Sequence, residues 1–244
     1  MTKVAAADKR RRRERGSINP DDIVSGAFEL AERVSIDHLS MPMLGKHLDV
    51  GVTSIYWYFR KKDDLLDAMT NLAVQRYALS TPYAVGENWR SALRSHARTM
   101  RQLFLDNTVM CDLILIRSPH AQHADRLGLQ AVEQAISSLV EAGLTPEAAL
   151  DVYAAVSVHV RGSVVLQRLR DKAALNEGRG GRRDTLHADP ATTPLLAQAL
   201  QDGQQLHTLD EANFDFGLEC ILDHAERLIT VNTKPARVRR PVRP

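Results

Sequence analysis

Between residues 52 and 62 the chain reads VTSIYWYFRKK, and these residue types suit contact with a nucleic acid better than bond-making chemistry. The hydroxyls of Thr53 and Ser54, the phenols of Tyr56 and Tyr58, the indole N–H of Trp57 and the flat ring faces match phosphate oxygens, base edges and thymine methyls. Lys61 and Lys62 add charge that a phosphate backbone attracts. On a helix, Val52, Ile55 and Phe59 fall on the opposite side and can pack on Leu44 and Leu48. A buried aromatic helix would use the same residues. Yet Tyr56, Trp57 and Tyr58 in succession cannot all face one core at a period of 3.6, which favours a contact surface.

Positioning those groups requires a helix-turn-helix. Ser40 is a good N-cap for a short helix over 41–48, Asp49-Val50-Gly51 supplies a tight turn, and a second helix starts at Val52 as the reader. A preceding helix is predicted over 20–34, with Pro20 in the first turn, Asp21 and Asp22 facing the positive helix end, and Ile23, Ala27, Leu30, Ala31 and Val34 as its apolar stripe. Asp63 is expected to cap a fourth helix running to Tyr77, which joins this module to the remainder, and Ser80-Thr81-Pro82 breaks the chain. The expected organisation is a basic arm over 1–18, a DNA-binding domain with its connecting helix over 19–79, a larger helical domain over 80–233 and a basic tail over 234–244.

Beyond residue 88 every substantial segment reads as helix, so the fold class is all-α. The segments are a tryptophan-led helix from Trp89 through Phe104, a short apolar one over 106–117, and helices over 123–142, 146–172, 194–201 and 210–229. Gly143 stops one helix, and Thr145-Pro146-Glu147 opens the next. That next helix is apolar nearly all round and must be covered on several sides. The run VSVHVRGSVV alternates enough to suggest a strand, but its flanks are helical and it lacks turn signals. Residues 176–192 have the composition of a long loop.

With 44% apolar and 25% charged residues, the composition is that of a globular protein. The net charge of +2 conceals an asymmetry: residues 1–16 and 234–244 each carry +5, which leaves residues 17–233 at −8. The N-terminal run KRRRRER directly precedes the helix-turn-helix, where an arm could follow phosphates or enter a minor groove; a solubilising tail is the other reading, and it is favoured for the proline-rich C-terminal run. Cys111 and Cys220 read as small core residues in a reducing compartment. No signal peptide is evident, and the longest apolar stretch, 152–166, is shorter than a membrane span and contains His159 and Arg161, so a cytoplasmic protein without a membrane partner is expected. No nucleophile elbow, phosphate-binding glycine loop or Glu-x-x-His pair appears, and His120-x-x-His123 lacks acidic partners nearby. Neither an enzyme, a metal site nor a cofactor is expected.

With these residues in view, the chain resembles the TetR family of bacterial transcriptional repressors, in the branch around the tetracycline repressor. The segments that carry the resemblance are IYWYFRKKDDLLDAM, ENWRSALRSHARTMR, GLTPEAALDVYAAV and FDFGLECILDHAERL, in that order. It implies three N-terminal helices as DNA reader and a helical core that binds a ligand and pairs two long helices with their copies, forming a homodimer on a partly palindromic double-stranded operator. Carried over by position, Val52, Thr53, Ser54, Tyr56, Trp57, Tyr58 and Lys62 fall where members touch DNA, and Ser40 joins that expected set. Tyr58 takes a site that is often histidine and Pro42 one where the tetracycline repressor has arginine, so the operator should differ. Positions that contact the drug fall at His96 and Met100; the histidine that ligates its metal falls at Ile114, and a neighbouring threonine at Arg117. A lining of Met100, Phe104 and Ile114 with polar heads at His96 and Arg117 implies a mainly hydrophobic small molecule, although a core histidine and a surface arginine remain the plainer readings. An architectural DNA-binding protein without an inducer is the alternative function.

Overall fold

The structure is a computed structural model that describes residues 18–81, 83–84, 88–117, 126–176, 188–201 and 210–233. The two basic ends, His120, His123 and most of the 176–192 segment lie outside the described residues. Among those described, the regular structure is entirely helical. The chain divides into two compact units, one of Met1–Tyr77 with Asn107–Ala124, the other of Ala78–Asp106 with Asp125–Pro244.

In the first unit, α1 (Pro20–His38) starts at Asn19, whose side chain accepts the Asp22 N–H at 2.8 Å. Regular helix stops at Ser35, which has φ 67° and ψ 161°, so the end expected at Val34 is a kink followed by one more turn. The ammonium of Lys62 closes that turn, donating to the carbonyls of Ile36 (2.8 Å) and Asp37 (3.3 Å). Helix α2 (Met41–Leu48) is capped by Ser40 Oγ, which accepts the Met43 N–H at 3.4 Å. The left-handed residue of the following turn is Asp49, at φ 55°, whereas Gly51 sits at φ −67°. Glycine is therefore not what makes this turn; Asp49 tolerates the left-handed region as few side chains do.

Helix α3 (Val52–Tyr58) ends where the Phe59 N–H reaches the Ile55 carbonyl. Helix α4 (Lys62–Ser80) begins differently from expectation: Asp64, not Asp63, takes the orphan N–H of Lys61, at 3.1 Å. Asp63 instead faces Arg117. A short turn, α6 (Thr108–Met110), continues into a π-helix (Cys111–Arg117) and packs against α1. Arg117 Nη2 lies 3.1 Å from Asp63 and 3.2 Å from Asp67, one helical turn apart on α4. These contacts hold 107–117 within the N-terminal unit.

The second unit is built on α5 (Trp89–Asp106), α7 (Arg126–Glu141), α8 (Pro146–Asn176), α9 (Pro194–Gln201) and α10 (Glu211–Thr233). Gly143, at φ 115°, ends α7 with the Leu144 N–H bonded back to Leu139 O at 3.1 Å, and Thr145 Oγ1 opens α8 by accepting from Ala148 N–H. Helix α8 runs through VSVHVRGSVV without interruption, because Ala149, Val152, Val156, Val160 and Val164 recur at helical spacing and are buried against its neighbours α5, α7 and α10. Over Pro146–Ala174 it is long and apolar enough, by length and composition, to cross a membrane, a longer span than the 152–166 stretch suggests. Its apolar residues form two stripes, one packed and one exposed.

Charge joins α5 to α10. Arg90 contacts Glu219 and Glu226, each at 2.8 Å, together with Asp223; Arg94 reaches Glu219 at 2.6 Å, and Arg98 reaches Asp215 at 2.8 Å. Hydrogen bonds from Arg94 and then Arg90 hold the Glu219 carboxyl down at about 2, against an ordinary value of 4.5. A carboxylate depressed on folding adds stability above its unfolded pKa and loses it as pH falls through the folded one. The unfolding temperature of Glu219→Gln should therefore lie below that of the native chain at pH 6. That gap should close between about pH 4.5 and pH 2, as followed by circular dichroism.

Candidate nucleic-acid interface and effector-binding helix

Helix α3 has seven residues, and its placement depends on which of them leave water. Ile55 and Phe59 are buried and Val52 half-buried, while Leu44 beneath is fully buried and Leu48 half-buried. At 100° per residue that choice turns Thr53, Tyr56 and Trp57 outward. Trp57 is 82% exposed and Tyr56 45%; Met43 on α2 is exposed as well. Large apolar groups gathered at one surface of a small unit mark an interaction site. Ser54 is half-buried.

Three residues of the expected DNA-binding set have other attachments. Ser40 spends its oxygen on capping α2. Lys62 is tied to the end of α1, so the exposed cations beside the reader are Lys61 and Arg60. Arg60 was not among the residues expected from sequence, although its place directly after Phe59 is visible there. Tyr58 is 41% exposed, and its hydroxyl donates to the Ile18 carbonyl at 3.1 Å, a contact across forty positions that no local pattern announces.

The residues proposed for ligand contact divide between the units. His96, Met100 and Phe104 form one buried row on α5, spaced by four residues, and His96 is only 4% exposed. Tyr153 of α8 stacks on the His96 ring at 6.1 Å, with its hydroxyl 3.5 Å from Nε2, and Tyr83 meets the same ring edge-on at 5.4 Å. Burial pushes the Tyr153 phenol up, so it stays protonated at neutral pH. Sequence alone did not single out these tyrosines, because one lies in a connection and the other reads as an ordinary core position. Ile114 is half-buried and Arg117 engaged with Asp63 and Asp67, both on the π-helix of the first unit. Among the described residues, no group of three or more His, Cys, Asp or Glu side chains is placed to hold a metal ion.

An eight-residue helix and an outward-reading seven-residue helix, joined by a left-handed turn ahead of a separate helical unit, define a helix-turn-helix regulator. Residues 23–69 match the family model "Bacterial regulatory proteins, tetR family", and residues 81–228 match "Tetracyclin repressor-like, C-terminal domain". An HTH-type transcriptional repressor of Mycobacterium tuberculosis is 60% identical over 237 residues, spanning 96% of this chain and 91% of that protein. The tetracycline repressor protein class A from transposon 1721 of Escherichia coli is 29% identical over 227 residues, 90% of this chain and 97% of its own length. A crystal structure of a possible TetR family transcriptional regulator from Streptomyces coelicolor A3(2) superposes with a TM-score of 0.63 at 26% identity, covering 86% of this chain and all of that one. The chain belongs to the TetR family of bacterial transcriptional regulators.

The two lysines after α3 should behave differently. Lys62→Met removes two hydrogen bonds from an ammonium and should cost about 1–3 kcal/mol in denaturant unfolding, whereas Lys61→Met should stay within about 0.5 kcal/mol of the native chain.

Proposed function

We propose that this TetR-family repressor binds a partly palindromic operator as a homodimer and is released from it by a mainly hydrophobic small molecule. Two observations carry the reading: an outward aromatic face on α3 and, among the described residues, a second, exposed apolar stripe on α8. That stripe comprises Leu150, Ala154, Val158, Gly162, Leu166 and Leu169, with Val158 70% exposed; Phe216 on α10 is 73% exposed. A second copy laid against α8 and α10 would bury this exposed stripe and Phe216. A two-fold dimer carries two reader helices, one for each half of a partly palindromic operator. The bases would be met by Thr53, Tyr56 and Trp57, and the phosphates by Arg60 and Lys61.

For the effector, the row His96, Met100 and Phe104 with Tyr83 and Tyr153 supplies apolar surface and a few polar atoms in a buried place, the composition of a small-molecule site. Ile114 offers no coordinating atom where the tetracycline repressor has its metal-ligating histidine, so a metal–tetracycline chelate is not the expected effector. The Arg117 contacts with Asp63 and Asp67 brace the first turns of α4, the helix that follows the reader. A repressor of this kind acts in the cytoplasm, where its operator is.

Val158→Asp should convert the dimer to a monomer in sedimentation and weaken operator binding by about a hundredfold or more, since two half-sites no longer share one protein. A variant that remains dimeric with native affinity would place the interface elsewhere. For the effector, a hydrophobic ligand should raise the unfolding temperature and weaken operator binding in the same titration. Tighter operator binding would indicate co-repression.

A further inference from the structure

We infer that the effector site admits neutral ring compounds bearing a hydroxyl or carbonyl group and excludes carboxylates, with Tyr153 as the residue that takes the polar group. The inference rests on the effector reading above and names the class of molecule that this site accepts. Tyr83, His96, Met100, Phe104 and Tyr153 all belong to the second unit. The His96 imidazole meets the Tyr83 ring edge-on at 65° and the Tyr153 ring at 30°, so ring faces and ring edges converge on one place. Met100 and Phe104 continue the row along α5 with apolar surface alone.

The polar atoms form a run. The Tyr153 hydroxyl is hydrogen-bonded to the Ser157 side chain, one turn along α8, and stands 3.5 Å from His96 Nε2. Serine hydroxyl, phenol and imidazole can each both donate and accept, and none of them carries a fixed charge. At 3.5 Å the contact between Tyr153 and His96 is at the long limit of a hydrogen bond, so parting them loses little. A ligand hydroxyl or carbonyl can enter there and complete the run in either direction. A carboxylate finds no fixed cation among these residues to offset the water it must leave. Burial keeps the proton on Tyr153, outweighing both the Ser157 bond and the exposed Arg161. Arg117, the guanidinium that would suit an anion, is engaged with Asp63 and Asp67.

The test uses the full chain and probes that share a ring system and differ in one group. They are 2-naphthol, 2-methylnaphthalene and 2-naphthoate, each with its one-ring and three-ring counterpart, and binding is measured by equilibrium dialysis near neutral pH. At the ring size that binds, the native chain should hold the hydroxyl probe at least about a hundredfold tighter than the carboxylate. Tyr153→Phe keeps the ring and removes only the hydroxyl. It should weaken the hydroxyl probe about three- to tenfold and leave the methyl probe within about twofold. A carboxylate held as tightly as the hydroxyl probe would overturn the inference and leave the effector site standing. Equal effects of Tyr153→Phe on the hydroxyl and methyl probes would also overturn it, since the phenol would then serve packing alone. The carboxylate comparison needs no variant, so it decides the matter even where Tyr153→Phe does not fold. Failure of all three groups at every ring size would overturn the effector reading itself, and this inference with it.

Discussion

Helix α3 is far too short to persist in water alone, since isolated helices below about 12–15 residues are marginal, so its existence depends on driving Ile55 out of solvent. That one burial dictates much of the first unit. It requires Leu44 beneath, and it requires α2 to approach closely enough that a Cβ on Gly45 would meet the Val50 carbonyl at 3.1 Å. It also requires the chain to reverse in a single left-handed step at Asp49. With Ile55 fixed inward, helical geometry leaves Tyr56 and Trp57 no position except outside. Their exposure is a consequence of packing, and the functional reading follows from it.

The second unit obeys a different constraint. Its α5 arginines at 90, 94 and 98 stand one turn apart and face carboxylates at 215, 219, 223 and 226 of α10, so the two helices are registered along their lengths by charge. Phe214 is held between the Arg101 guanidinium, 4.7 Å from its ring, and the His159 imidazole, stacked at 4.8 Å. His159 Nε2 also lies 2.8 Å from the Phe214 carbonyl. Partly exposed ion pairs add modest stability individually. Their number and spacing choose one sliding position of α10 over its neighbours a turn away.

Much of this was legible in sequence because it is local. Caps at Ser40 and Thr145, the stop at Gly143 and the first-turn proline at Pro146 act within four residues, and they mark helix ends at or near the places the structure shows. The reader's inward and outward faces followed from period alone. What escaped was long-range: Lys62 and Tyr58 have residue types suited to DNA, yet they reach back 26 and 40 positions to backbone carbonyls. Arg117 likewise crosses fifty positions or more to its carboxylates. Position within a family pattern does not reveal which way a long side chain turns, because that depends on partners brought near only by the fold.

The exposed stripe of α8 alternates in size along its length: Leu150, Ala154, Val158, Gly162, Leu166. Gly162 has nothing within 4 Å of where a Cβ would stand. Large and small groups in turn make a surface of knobs and hollows that a copy carrying the same series can fill. A paralogue with another order of sizes would leave voids, at about 1 kcal/mol for each methyl-sized gap, or clash outright. A bacterium holding several regulators of one fold must keep their subunits from mixing, and in the proposed homodimer this alternation would give the chain a means of telling its own copy from its cousins.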